Sequence, residues 1–349
     1  MYPYIIVLMV VSLWVGLEEK TINKRAIIIP LLMLMLLATI RYYSVGTDAE
    51  MYSRYFRFPF NKFAYQFDPD VERGYQYLVV IIREIYNDYF FYFFIMSIVC
   101  IFPVLFFLKE KSVNYTLSVY IYITFGLYFT LYNQIRQSIA MGICFYATKY
   151  LLKKEFIKFA MFIIIAAQFH VTALIMLGMY FLCHFKLRIE LKALMTFLVG
   201  VIAAPAIIAH MALNNSRYEH YTEQVSGGSH GMFTVGLYAL IAIFIYIYGK
   251  QIREDDNDYK IYECLYICGV SALFPIAMLG TDPAGPQRIV QYFVFYIMLI
   301  LPIIFLRKLN NIIVYTLFIV LSFSYFIMMI SSNIAGIYPY KINPVFDLF

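Results

Sequence analysis

The chain is short of charge. Only 14% of its 349 residues are Asp, Glu, Lys or Arg, against about a quarter in an ordinary soluble domain. Hydrophobic residues make up 63%, and mean hydropathy is +0.74. A water-soluble fold of this size cannot hide that much apolar surface. Alternation of apolar and polar positions is missing as well. The apolar runs are continuous, which argues against a β-barrel. Cysteine is scarce: Cys100, Cys144, Cys183, Cys264 and Cys268 include no Cys-x-x-Cys pair. All five lie in or beside apolar segments and read as small buried hydrophobes. There is no P-loop and no His-Glu-x-x-His, which removes the familiar signatures of nucleotide and zinc hydrolysis. No repeat, low-complexity tract or soluble domain interrupts the sequence, so a single domain over residues 1–349 is expected. The net charge of +6 is ordinary for a membrane protein with basic loops and gives no sign of nucleic-acid binding.

What is present is a succession of apolar stretches, at about residues 2–17, 26–40, 89–108, 115–133, 135–152, 157–169, 171–185, 193–213, 232–249, 261–280, 288–306 and 312–331. The expected fold class is therefore all-α, a polytopic membrane protein of about twelve transmembrane helices. The first stretch lacks a basic n-region and a small-residue cleavage site, and reads as a retained span. Several stretches are shorter than the ~20 residues a straight crossing wants. Phe156–Phe185 decides the topology. Lys153, Lys154 and Lys158 precede or begin it, and Lys186, Arg188 and Lys192 follow it. One crossing would set these clusters on opposite sides, whereas a short hairpin keeps every Lys-rich loop inside. The hairpin reading places Gln168 and His170 at its outer tip.

Both termini are then outside, with outer segments 41–88, 214–231, 281–287 and 332–349. Glu72–Tyr86 carries apolar residues at helical spacing together with Arg73, Arg83 and Glu84, the pattern of an amphipathic helix at the outer interface. In this topology the basic residues divide by type. The inner side holds 13 of the Lys and only Arg25, Arg188, Arg253 and Arg307. The outer side holds Lys62 and Lys341 but eight Arg: Arg41, Arg54, Arg57, Arg73, Arg83, Arg136, Arg217 and Arg288. The positive-inside rule accounts for the Lys. Guanidinium groups gathered outside need another reason. Snorkelling to headgroups is one, but Lys would serve equally well; bidentate contact to a lipid-borne phosphate is the better one.

Four places carry candidate chemistry. Gly46-Thr47-Asp48 can turn the chain and cap a helix bearing Tyr52, Arg54 and Tyr55; Asp48 there is either a plain cap or an acceptor of a sugar hydroxyl. Asn133, Gln134, Arg136 and Gln137 open a span, a costly position unless they face a partner or a wet cavity. His170 sits between two apolar runs, either as a packing residue or as a base working near neutral pH. Arg217 and Tyr218 begin the second outer loop, which ends in the flexible Ser226–Gly231, and Arg288 follows the Pro-rich third loop. His220, His230, Glu219 and Glu223 have no defensible metal spacing, so no metal is expected. A transporter or flippase of lipid-linked oligosaccharide would want charges at mid-membrane in both halves and an internal repeat, whereas polar residues here gather on one face. Two further readings are an O-antigen ligase and a sugar acyltransferase; the outer loop 214–231 is small for a ligase.

The pattern resembles the EpsG family of polysaccharide polymerases, relatives of the Wzy-type O-antigen polymerases. The residues that carry it are Arg41 with Val45–Asp48, Glu72-Arg73-Gly74-Tyr75, Ile135–Ala140, Phe169–Ala173, Ser216-Arg217-Tyr218 with Tyr221, Arg288 with Tyr292-Phe293, and Pro339-Tyr340. Glu72-Arg73-Gly74 stands where the family pattern has Glu-Pro-Gly. The resemblance implies a glycosyltransferase of the bacterial inner membrane with its active site facing the periplasm or cell exterior. It would transfer a growing O-antigen, capsule or exopolysaccharide chain from undecaprenyl pyrophosphate to the non-reducing end of another undecaprenyl-pyrophosphate-linked repeat unit. A chain-length regulator is implied as a protein partner, and no cofactor. In that reaction Arg136, Arg217 and Arg288 would hold the donor pyrophosphate, with Arg41, Arg54, Gln137 and Tyr218 as further contacts. His170 or Asp48 would take the acceptor's proton.

Sidedness is testable directly. Reporter fusions at residues 136, 217 and 288 should all report one compartment, opposite to fusions at 153, 186 and 308. A fusion at any of the first three that reports the Lys-rich side would undo this reading.

Overall fold

The computed structural model describes the whole chain except residues 23, 26, 58–66, 215–231, 279–285, 334 and 347–349; at 204, 206–214 and 286 it describes only the backbone. Among the described residues the regular structure is helical, with no strand beyond one isolated bridge between Arg41 and Ile342. The chain falls into two compact units, residues 1–174 with 309–349, and residues 175–308.

The first unit begins with α1 (Tyr2–Thr21) and α2 (Ile28–Thr39), followed by the short α3 (Ala49–Ser53) and a 3-10 turn, Arg54–Phe56. The amphipathic helix is present as α4 (Arg73–Ile85), with Tyr75, Gln76, Val79, Ile82 and Arg83 on the buried face. Then come α5 (Tyr89–Lys111), α6 (Tyr115–Thr124), α7 (Thr130–Asn133), α8 (Ile135–Leu152) and α9 (Phe156–Ala167). Polar side chains start the helices where the sequence offers them. Asp88 accepts the amide of Phe90 at 2.7 Å ahead of α5, and Asn114 accepts that of Leu117 at 2.9 Å ahead of α6, each satisfying an orphan first-turn donor. α5 packs against both α2 and α8, and α8 against α9. Buried tyrosines fill the core, among them Tyr4, Tyr92, Tyr115, Tyr128 and Tyr132. The hydroxyls of Tyr4, Tyr92, Tyr128 and Tyr132 end on backbone carbonyls or on other tyrosines, as in Tyr128 to Leu34 O at 2.7 Å and Tyr75 to Tyr92 at 2.8 Å. That satisfies the polar tip of an otherwise apolar side chain.

The chain stops being helical at Gln168–His170, where the sequence places a tip, and resumes as a 3-10 turn, Val171–Leu174. The second unit follows: α10 (Ile175–His184), α11 (Ile189–Asn214), α12 (Met232–Gly249), α13 (Ile252–Asp255), α14 (Asn257–Met278), a 3-10 turn Pro286–Val290, α15 (Gln291–Val294) and α16 (Ile297–Arg307). α14 lies at its centre, packed against α11 and α12. Within α14 the carboxylate of Glu263 is fully buried. It is satisfied bidentately by Arg253, with Nε at 2.5 Å and Nη2 at 2.7 Å, the geometry that makes a buried charge tolerable. α17 (Ile312–Ser331) returns to the first unit and packs on α6.

The helices coincide closely with the apolar stretches, but the count of twelve crossings is not carried by the structure. Among the described residues five helices are long and apolar enough to cross a membrane (α1, α5, α12, α14 and α17). Residues 287–307 make a sixth only if two helices bent by 44° count as one span. α2 and α9 have 12 residues each, about 18 Å at ~1.5 Å per residue, against a hydrocarbon core of ~30 Å. The stretch read as one span over 115–133 is broken between α6 and α7, where Gly126 takes a positive φ of 75° that other residues adopt only at a cost.

Candidate functional site

Glu72 is the residue before α4, and its side chain does not cap that helix. It reaches two other elements instead. Oε2 accepts from Arg136 Nη1 at 2.5 Å, and Oε1 accepts from the backbone amide of Val171 at 3.1 Å. His170 Nδ1 lies 3.9 Å from the same Oε1. Side-chain exposures of 14%, 15% and 20% for Arg136, Glu72 and His170 show a cluster that is shielded but not sealed. Arg136 stands in the first turn of α8, where the helix dipole disfavours a cation by about 0.3–1 kcal/mol. Glu72 offsets that and fixes the fork of the guanidinium.

The turn carrying His170 is held onto α4 by a second contact. The amide of Tyr75 donates to Gln168 O at 3.2 Å. This approach needs a glycine at 74, because a Cβ there would lie 2.6 Å from Gln168 Cβ and 2.8 Å from its carbonyl oxygen. His170 Nδ1 has two further partners, Thr172 Oγ1 at 2.8 Å and the Thr172 amide at 3.4 Å. The amide can only donate, which favours a bare Nδ1. The hydroxyl, much the closer, can accept from Nδ1–H and leave the lone pair on Nε2.

The Gly46–Asp48 turn joins the same neighbourhood from the other side. The amide of Thr47 donates to Asn133 Oδ1 at 2.7 Å, three residues before Arg136. Gly46 has φ 112°, and a Cβ on it would stand 2.5 Å from Tyr132 O. The far side of the turn rests on the C-terminal tail, with Gly46 N donating to Gly336 O at 2.8 Å and Thr47 N to Ala335 O at 3.3 Å. Asp48 is the half-buried N-cap residue of α3 and makes no side-chain cap bond. Tyr52 of α3 is buried edge-on against Tyr75 at 6.0 Å, whereas Tyr55 points out at 50% exposure. α3 ends at Ser53 and tightens into a 3-10 turn, which leaves Tyr52 inward and Tyr55 outward. Glu72 thus joins Arg136 and the His170 turn directly, while the Gly46–Asp48 turn is tied through Thr47 to Asn133, three residues before Arg136.

The EpsG family profile matches residues 24–342. The chain belongs to the EpsG family. Members of that family are Wzy-type polymerases, which places this protein in polysaccharide polymerisation in a general sense, and the family and the apolar helices together point to a membrane protein. No curated protein and no solved structure matches the chain. The matched span includes Glu72, Arg136 and His170.

The other residues singled out from this EpsG-family sequence are distributed as follows. Arg41 is fully buried, its guanidinium between the rings of Phe93 at 4.1 Å and Tyr132 at 4.0 Å, and no protein acceptor among the described residues meets its N–H groups. Expected at the substrate, it lies inside the unit, where ring faces take the place of water. Its backbone is tied to the tail through Tyr42 N to Lys341 O and Asn343 N to Ile40 O, both 2.8 Å. Arg54 is exposed. Gln137 is buried on α8. Arg288 is half-buried in the second unit, in the 3-10 turn before α15. Arg217 and Tyr218, with the Ser226–Gly231 stretch and residues 281–285 of the third loop, lie outside the described residues.

Two Asp-x-Asp pairs are used locally. Asp68 Oδ1 accepts the amide of Asp70 at 2.9 Å; Asp256 accepts the amide of Tyr259 at 2.9 Å and pairs with Arg307 at 2.7 Å. Among the described residues no group of three or more potential ligands could hold a metal ion. Sequence reasoning placed Glu72 in the family pattern but gave it no role at the site. Its signal was a carboxylate two positions before a glycine at the start of an amphipathic helix.

Gly74→Ala should shift the His170 turn and cost about 1–3 kcal/mol, the usual range for overpacking. Thermal unfolding and chain-growth rate both read it. Gly236→Ala, where an added Cβ meets nothing within 4 Å, should leave both unchanged or raise the unfolding midpoint.

Proposed function

We propose that this EpsG-family protein is the polymerase of a bacterial O-antigen, capsule or exopolysaccharide. It passes the growing glycan from undecaprenyl pyrophosphate to the non-reducing sugar of a second lipid-linked repeat unit, at a site on the periplasmic or outer side of the inner membrane. The observation that supports this most is the Arg136–Glu72–His170 cluster: a guanidinium fixed at a helix start, beside an imidazole, in a shielded but accessible place.

The chemistry follows from those groups. An acceptor hydroxyl oxygen attacks the anomeric carbon of the donor sugar, and the bond from that carbon to the pyrophosphate oxygen breaks. Charge develops on the leaving pyrophosphate, and donors already aimed there are usually the largest catalytic contribution. Arg136 supplies them, kept in orientation by Glu72 so that little reorganisation remains. His170 takes the acceptor proton on Nε2 while Nδ1–H is held by Thr172 Oγ1, and the nearby Glu72 carboxylate stabilises the imidazolium that results. Asp48 is the second candidate for that proton. Exposed Arg54 is available to the phosphates. Arg41 acts through Tyr132, holding the Gly46–Asp48 turn against Asn133.

Purified protein incubated with defined lipid-pyrophosphate-linked repeat units alone should build a ladder of chain lengths. Transport of those units across vesicles without lengthening would favour a flippase, and silence until a lipid-core acceptor is added would favour a ligase. Within the ladder assay Arg136→Lys should retain well under half the rate, because an ammonium cannot make a bidentate phosphate contact. His170→Ala should fold and bind substrate but slow growth by about 10²–10⁴-fold, the usual worth of a general base.

A further inference from the structure

In the first unit the ends of α1 and α5 and the start of α2 surround a cavity of about 850 Å³, within the range of ligand sites. None of its lining residues belongs to the Glu72 cluster. Three cations line it, Lys24, Arg25 and Lys109, against one acid, Glu18. Glu18 is already engaged, since its Oε2 accepts from Trp14 Nε1 at 3.0 Å. Arg25 is fixed in place: Nη1 donates to Lys109 O at 3.0 Å, and Nε stands 3.4 Å from Glu19 Oε1. Glu19 in turn is held by α6, where its Oε2 accepts the amide and the hydroxyl of Thr116 at 3.0 and 2.8 Å. Lys24 and Lys109 are exposed, and among the described residues no carboxylate lies within ion-pair reach of either ammonium. The cavity therefore presents positive charge that the protein itself does not neutralise.

The rest of the cavity is apolar, and it leads away from the cations. Lys109 stands in the last turn of α5, a helix long and apolar enough to cross a membrane, so its ammonium belongs at headgroup level. Phe106 and Phe102 line the cavity from the same helix, three and seven residues back, which is about 4.5 and 10.5 Å further along the axis. Lys24 and Arg25 come just before α2, and Ile28 and Leu31 line the cavity from its first turn. Ile28 and Phe102 are 71% and 45% exposed, so the protein leaves these walls uncovered. Cations at one level with apolar walls beyond them match an amphiphile that stands with its head at the interface and its chains beside the helices.

We propose that this cavity is a specific site for an anionic diacyl phospholipid of the bilayer, with its phosphate met by Lys24 and Lys109 and its chains lying along α2 and α5. Basic pockets between spanning helices attract anionic headgroups in this way. Lysines that merely snorkel would have no need to gather around one cavity, whereas Arg25 and Lys109 are joined across 84 residues of chain. Charge selects the class of lipid. A zwitterionic head brings a further cation to a place that already has three, and a free phosphate would leave the apolar walls bare. The lipid is neither donor nor acceptor in glycan transfer, so the site stands apart from the polymerase reading.

The test uses the full-length protein in phosphatidylcholine nanodiscs doped with a phosphatidylglycerol that carries a photoactivatable group near the top of one acyl chain. Labelling should map to residues 27–31 and 102–106. Lys24→Gln combined with Lys109→Gln should lower it by about thirtyfold, the worth of two cations at a membrane surface, whereas Lys24→Arg combined with Lys109→Arg should label as wild type. Lys20→Gln combined with Lys153→Gln removes the same charge from exposed lysines that do not line the cavity, and should also label as wild type. Labelling that survives the first pair, or that falls equally in the Lys20 and Lys153 pair, overturns the proposal. So does displacement of the probe by glycerol 3-phosphate as readily as by unlabelled phosphatidylglycerol, which would make this a site for phosphate alone, and so does stronger displacement by a polyprenyl phosphate. Labelling is read without chain growth, so its outcome is separate from that of the ladder assay.

Discussion

One carboxylate ties together the candidate site of the first unit. Glu72 stands at the junction of three segments distant in sequence: the start of α4, the first turn of α8 and the turn at His170. Its two oxygens are divided between a guanidinium and a backbone amide. In a shielded setting this division matters, because a cation at a helix start is disfavoured by the dipole and by partial desolvation, and only a fixed counter-charge makes it tolerable. The same carboxylate that neutralises Arg136 also keeps it from collapsing onto other acceptors. The glycine two residues on lets the His170 turn come within backbone contact of α4. The site is thus a consequence of how α4 begins.

Much of the fold was legible, for a simple reason. Continuous apolar runs bounded by Lys, Asn and Asp have few structures open to them, and helices duly occupy the stretches at 2–21, 89–111, 135–152, 232–249, 257–278 and 312–331. The helix breaks were less legible. Gly126 and the bend at residues 295–296 interrupt runs that hydropathy alone cannot divide. The crossing number did not follow from counting runs, because 12-residue helices are too short to cross alone. Arg136 and His170 were visible as polar groups at apolar boundaries. Glu72 was visible only as part of the family pattern, because its place at the site lies in a contact 64 residues away in the chain. Arg41 looked like a surface cation beside a span; the rings of Phe93 and Tyr132 that enclose it come from α5 and α7.

The C-terminal tail gives the fold a second kind of support. Tyr4 at the start of α1 donates to Ile337 O at 2.5 Å, and Tyr340 donates to Leu37 O at 2.7 Å. With the backbone contacts to Tyr42, Gly46 and Thr47, these bonds tie both ends of the chain to the turn that bears Asp48. Such a turn would otherwise be among the least stable parts of a helical bundle. Its pinning between Asn133 and the tail is what turns an isolated Gly-Thr-Asp sequence into a defined position.

The central claim is that Glu72 and Arg136 act as one unit in glycan transfer. A double-mutant cycle on the chain-growth rate tests it most directly, with Glu72→Gln, Arg136→Lys and the two combined. The account predicts that each single change is severe and that the pair costs little more than either, a coupling of about 1–3 kcal/mol. Losses that simply add, to within about 0.5 kcal/mol, would contradict it.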